Sequence, residues 1–240
     1  MPATQHFSHL TAAELLGLRM PEGYRAGPLD VSSAAPARAS RSRGVAGHQS
    51  KDVVPITLPN GLRVSSPLDT WCQLGAVLGL DDLVAMGDGL VRRLRPLCTT
   101  EQLHAGVAAN EGRRGHRRVT EAAGEIRPRT DSARETKLRL MLVRAGFPEP
   151  EINGAILNSF GAVIAHGDMV YREYHTLIEY DGGQHRDDER QFNIDIDRLD
   201  ELMEERWRVI RVNKSLMARR ATLFGKVATA LEQGGWHPPP

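Results

Sequence analysis

The chain is short of several things, and each shortage excludes something. It has two cysteines, Cys72 and Cys98, far apart and outside any CxxC pair. A structural zinc site and a disulfide framework are therefore disfavoured, and a reducing compartment is the plain reading. Aromatic residues make up only 5% of the chain, few for a sugar-binding cleft or for a platform on which single-stranded bases stack. Lysine occurs only at Lys51, Lys137, Lys214 and Lys226; the matching excess of arginine and alanine reads as genome composition. No apolar run approaches the roughly 20 residues of a membrane span. Residues 1–10 show no basic segment followed by an apolar stretch, so no secretory signal is visible. The expectation is a cytoplasmic protein with no membrane partner. Net charge is nearly missing too: 31 basic against 30 acidic side chains leave +1, which argues against a nonspecific nucleic-acid coat.

What remains is an ordinary globular composition. The 240 residues are 40% hydrophobic and 25% charged, enough for one large or two small domains with a real core. The charge balance hides a split. Residues 1–127 hold 15 basic and 12 acidic side chains, whereas 128–240 hold 16 and 18. The expected boundary falls there, with a smaller α+β domain over 1–127 and a second domain over 128–240.

In the first half, Thr11 and Glu14 fit a capping box ahead of a short helix over 12–16. Residues 27–49 are rich in Ser, Ala, Pro and Arg and predict mostly loop, with one short strand over 29–32. The turn signal Pro59-Asn60-Gly61 joins 53–58 to 62–65 as a hairpin. Ser66-Pro67 opens a helix reaching Gly79, and three further helices follow over 83–93, 101–109 and 113–123. The run from Arg113 to Arg118 is the densest basic stretch, read as a solvated helix start ahead of a phosphate-contacting patch.

The second half predicts the order αβββαβα: helix 132–145, strands 151–157, 162–171 and 176–181, helix 187–206, strand 207–213 and helix 215–233. The fold class is α/β with a mixed sheet flanked by helices. If the second hairpin turns at Glu173-Tyr174, Tyr171 pairs with Thr176 and Asp168 lands opposite Glu179. Opposed residues stand about 4.5–5.5 Å apart at Cβ, and like charges there are destabilising. Glu179 and Asp181 also share a face by strand alternation. Two readings stay open: a divalent cation held by these oxygens, or a solvated acidic sheet edge. Glu135 lies on the apolar stripe of Leu138 and Leu142, yet Ser132-x-x-Glu135 is also a capping box, and the two roles are compatible. Gly182-Gly183 permit a sharp turn after the third strand. They bring His185 toward the carboxylates, where it suits a general base, although an isolated histidine there is more often merely solvated.

This order of Glu135, Asp168, Glu179-Tyr180-Asp181 and His185 resembles the PD-(D/E)XK nuclease superfamily, and most nearly its Vsr-like, restriction-endonuclease-like domains with a Glu-x-Asp-Gly-x-x-His signature. Phe192, Asp195 and Arg198 on the next helix, then Trp207-Arg208-Val209-Ile210-Arg211-Val212, extend the likeness over about residues 128–220. The resemblance implies an αβββαβ core that cleaves DNA with Mg²⁺, or Mn²⁺ in its place, held by Asp168 and Glu179. Glu135 would orient water, and His185 would take or relay a proton. Arg186, Arg198, Arg211 and Lys214 would contact nucleic acid. The superfamily's lysine position is Asp181 here, so stabilisation of phosphorane charge would fall to the metal or to Arg186 or Arg198. Upstream, the stretches Phe7-Ser8-His9-Leu10-Thr11-Ala12-Ala13 and Ser65-Ser66-Pro67-Leu68-Asp69-Thr70-Trp71 are similar to the abortive-infection type IV antitoxin family. That likeness implies a protein partner for the first domain. The expected function is a metal-dependent endonuclease or nickase in DNA repair or defence. The alternative is a non-catalytic, antitoxin-like or regulatory DNA-binding protein with a degenerate nuclease fold.

Overall fold

The computed structural model describes residues 1–51, 53–182 and 189–238, and for 189–195 the backbone alone. The chain folds as two compact units, Met1–Pro128 and Arg129–Pro240. The first is the longer, contrary to the expectation of a smaller leading domain.

The first unit opens with β1 (Gln5–Phe7), α1 (His9–Leu15), β2 (Leu29–Ala34), β3 (Val45–Ser50), β4 (Ile56–Thr57) and β5 (Arg63–Val64). These strands form one mixed sheet in the order β3-β2-β1-β5-β4, with β2 and β3 parallel. Two of them, β1 and β3, carry no apolar alternation that would announce them. The segment 27–49, expected to be mostly loop, supplies β2 and nearly all of β3, and the buried positions of β2 are Val31, Ser32 and Ser33 rather than a regular apolar row. Gly47 is required here: a Cβ would lie 2.0 Å from the Ser40 carbonyl oxygen, because the β2–β3 connection runs directly over the strand. Four helices follow, α2 (Pro67–Leu74), α3 (Leu80–Leu90), α4 (Thr100–Ala109) and α5 (His116–Glu125). Ser66 caps α2 by accepting from Asp69 N at 3.1 Å. Trp71 is fully buried, and its indole N–H donates to the Leu83 carbonyl at 2.8 Å, so the polar edge of the ring is satisfied. In the basic run, Arg118 donates to the Gly75 and Leu78 carbonyls after α2, a structural use of that charge.

The second unit runs α6 (Ala133–Arg144), β6 (Glu151–Leu157), β7 (Val163–Tyr171), a 3₁₀ turn (Arg172–Tyr174), β8 (Thr176–Tyr180), α7 (Glu189–Glu204), β9 (Arg208–Val212), α8 (Lys214–Ala218) and α9 (Arg220–Gln233). The predicted last helix is thus two, broken at Arg219 and started by Asn213, whose side chain accepts from Leu216 N. The sheet order is β6-β7-β8-β9, antiparallel except for the parallel pair β8–β9. Each face has its own core. Met169 and Ile178 pack with Leu138 and Leu142 of α6 and with Leu223, Val227 and Leu231 of α9. Val170 and Leu177 pack on the other face with Leu202 of α7 and Trp207. The alternation of β7 and β8 sorts these residues, as the pleat requires.

Candidate functional site

The β7–β8 hairpin fixes the site. The 3₁₀ turn leaves His175 in the left-handed region, and the pairing then runs Tyr171–Thr176, Val170–Leu177 and Met169–Ile178. The pairing ends there, and Asp168 and Glu179 come next on their strands. Glu179 falls by alternation on the face of Leu177, which α7 covers, whereas alternation breaks at Asp168, because its neighbour Gly167 already faces Leu177 and Val170. Asp168 Oδ2 accepts from the Tyr180 backbone N–H at 2.7 Å, which ties its carboxylate to the neighbouring strand. Burial raises its proton affinity above the ordinary range; the Tyr180 hydrogen bond and then the Arg198 charge oppose that shift.

Glu135 stands in the first turn of α6 and is 8% exposed. Half of the capping box is present, with Ser132 Oγ accepting from Glu135 N at 3.2 Å. The Glu135 carboxylate instead accepts from the Asp131 backbone N–H at 2.8 Å. Its proton affinity is raised, first by burial and then by the Asp168 charge. Although α6 covers the other face of the sheet, Glu135 and Asp168 therefore act on one another.

Glu179 is 13% exposed and carries two cations: Arg198 of α7 is in direct contact, and Arg211 Nε lies 3.8 Å away. Arg211 sits directly across from Glu179 in the β8–β9 register. The opposed acids are thus compensated in part by guanidinium. Of the expected nucleic-acid contacts, Arg198 and Arg211 are engaged here. Lys214 opens α8 and lines a cleft of about 420 Å³ with Arg134, Tyr180, Asp181, Gly182, Asn213 and Ser215. Asp181 lies past the end of β8, its N–H bonded to the Val212 carbonyl, and faces that cleft, whose lining includes none of Glu135, Asp168 and Glu179. His185 and Arg186 lie outside the described residues.

Sequence reasoning did not find Arg134, which lies 5.6 Å over the Tyr180 ring and hydrogen-bonds its hydroxyl. A basic residue beside a capping glutamate was the only signal available. Nor did it find Asp131, whose charge raises the proton affinity of both Glu135 and Asp168. Carboxylate oxygens are the donor type that hard divalent cations take. They do not form a closed shell: among the described residues, only His9, Asp30 and His48 bring three ligand atoms within 4.8 Å of one another. Comparison with protein families, with curated proteins and with solved structures finds no match to this chain.

Proposed function

We propose that residues 129–240 carry a restriction-endonuclease-like domain of the PD-(D/E)XK type, and that the protein is a metal-dependent DNA endonuclease or nickase working in the cytoplasm. The observation that supports this reading is the hairpin, which ends with Asp168 and Glu179 next on their adjacent strands past the Met169–Ile178 pair, with the buried Glu135 carboxyl feeling the Asp168 charge. Asp168 and Glu179 would hold Mg²⁺ or Mn²⁺, which when bound polarises the scissile phosphate and supplies an activated water. The chain's own groups do the rest. Tyr180 N–H holds Asp168 in one orientation, so its free oxygen is presented at a fixed point. Glu135, with its raised proton affinity, holds a proton or orients water beside the phosphate. Arg198 is positioned to exchange Glu179 for a phosphate oxygen, the part the missing lysine would otherwise play.

One observation favours a second reading. Arg198 lies against Glu179 where a cation would bind, and Asp181 occupies the usual lysine position. A non-catalytic, antitoxin-like DNA-binding protein would have that arrangement, with the first unit engaging a protein partner. Supercoiled plasmid incubated with Mg²⁺ or Mn²⁺ decides between them. The nuclease reading expects nicked or linear product that falls at least about 100-fold in Asp168→Asn, the scale of losing a transition-state electrostatic contact. Cleavage unchanged in that variant, or absent with either ion, sinks it.

A further inference from the structure

We infer that the first unit contains a separate transition-metal site, formed by His9, Asp30 and His48 and suited to Zn²⁺. Three elements converge to make it. His9 is the first residue of α1, Asp30 lies on β2, and His48 lies on β3 across from Ser32, two residues along β2 on the Asp30 face. Each offers one ligand atom, and all three atoms lie within 4.8 Å of one another. His48 Nε2 and Asp30 Oδ1 are joined by a direct hydrogen bond of 2.8 Å, which opens to about 3.4 Å when both ligate one tetrahedral zinc with bonds of about 2.0–2.1 Å.

The backbone of the third ligand is fixed by its neighbours. His9 has φ of 48°, the left-handed region, and its backbone N–H donates to Gln73 Oε1 at 3.1 Å. A non-glycine residue keeps that conformation only where its surroundings enforce it. Ser8 Oγ lies 3.0 Å from His9 Nδ1, a partner of the kind that orients ligating imidazoles. Ser8 is itself fixed by Ser32 Oγ at 2.8 Å.

The two rings are stacked, with centroids 3.8 Å apart and planes 20° from parallel. Coordination needs the His9 ring to turn about its Cβ–Cγ bond toward Asp30. Three protein ligands of this type leave the fourth position of a tetrahedral ion for water or an exogenous group. The scarcity of cysteine led to the expectation of no structural zinc site; imidazole and carboxylate supply the ligands proposed here.

The test uses untagged full-length protein titrated with Co²⁺ as a spectroscopic probe and then with Zn²⁺. One equivalent of Co²⁺ is expected to give visible d–d absorption, displaced by Zn²⁺, while proton NMR shows the His9 and His48 ring signals shifting as the stack opens. Zn²⁺ should also raise the thermal midpoint, because it binds the folded state alone. His9→Ala and His48→Ala should weaken binding about 100-fold or more. Asp30→Asn keeps the shape and a hydrogen-bond partner for His48, and tests the site even if a histidine variant fails to fold. Absence of a Co²⁺ spectrum and of any Zn²⁺-dependent midpoint shift overturns the site. So does binding that is unchanged in folded His9→Ala or Asp30→Asn, which would reduce the cluster to an ion pair with a stacked ring.

Discussion

Glu135 and Asp168 are carboxyls that the fold makes harder to ionise, and this sets a pH dependence with a definite sign. Both bind protons more tightly folded than unfolded, through burial first and then, at Glu135, the Asp168 charge. Between the ordinary carboxylate range and the raised native values, the folded state carries more protons than the unfolded one. Stability therefore falls as pH rises through that window and stays lower above it. Glu135→Gln and Asp168→Asn remove the ionisation and keep an oxygen to accept from Asp131 N–H and Tyr180 N–H. Each variant is expected to be more stable than the parent at pH 7 by about 1 kcal/mol, the usual scale when a functional strain is relieved. The gain should shrink on acidification to about pH 3, where the parent carboxyls are protonated in both states. Urea unfolding at the two pH values measures it. A variant no more stable than the parent at pH 7 would mean that Arg198 and the hydrogen bonds already neutralise the pair.

The strand pair that carries the acids is held in register by packing as much as by its turn. Gly167, adjacent to Asp168, has no room for a side chain: a Cβ would stand 2.0 Å from Leu177 Cδ1 and 3.0 Å from Val170 Cγ2. Gly167→Ala is expected to destabilise the protein by about 1–3 kcal/mol through overpacking. Leu177→Val in the same chain removes the clashing methyl and should restore part of that loss. Denaturant midpoints of the single and double variants test this, and a double variant no better than Gly167→Ala alone would place the strain elsewhere. This hairpin was the part of the fold most legible in the sequence, because a short turn at Glu173-Tyr174 leaves one register and apolar residues mark both faces. The β1–β2–β3 layer was not legible: its interior is largely Ser, Val and His, and a parallel pair needs a crossover that no local signal announces. Partner choice was equally hidden. Strand alternation could set Glu179 beside Asp168, but it could not tell that Arg198, on a helix far along the chain, would answer the charge. Asp181 lies one residue past the end of β8 and lines the cleft with Tyr180 and Gly182, a lining that does not include Glu179.

The whole chain is nearly neutral, a mildly basic first half against an acidic second, so any attraction to DNA must come from a few placed cations rather than from a field. Among the described residues, Arg198 and Arg211 are two cations at the candidate site, and Glu179 engages both. Binding to a short duplex without divalent ions should accordingly be weak. Ca²⁺, which fits oxygen ligands, should strengthen it by neutralising the acids. With two to four phosphate contacts, the plot of log affinity against log salt should have a slope of about −2 to −4. Glu179→Gln makes the sharper test. Losing that carboxylate releases Arg198 and Arg211 from its charge, so metal-free binding should tighten and the slope should steepen by about 1–2, one unit for each released arginine that reaches a phosphate. Fluorescence anisotropy across a salt series, with and without Ca²⁺, reads both quantities. If Glu179→Gln binds no tighter than the parent, the two arginines serve the sheet alone, and the DNA-facing surface must be sought away from β8 and β9.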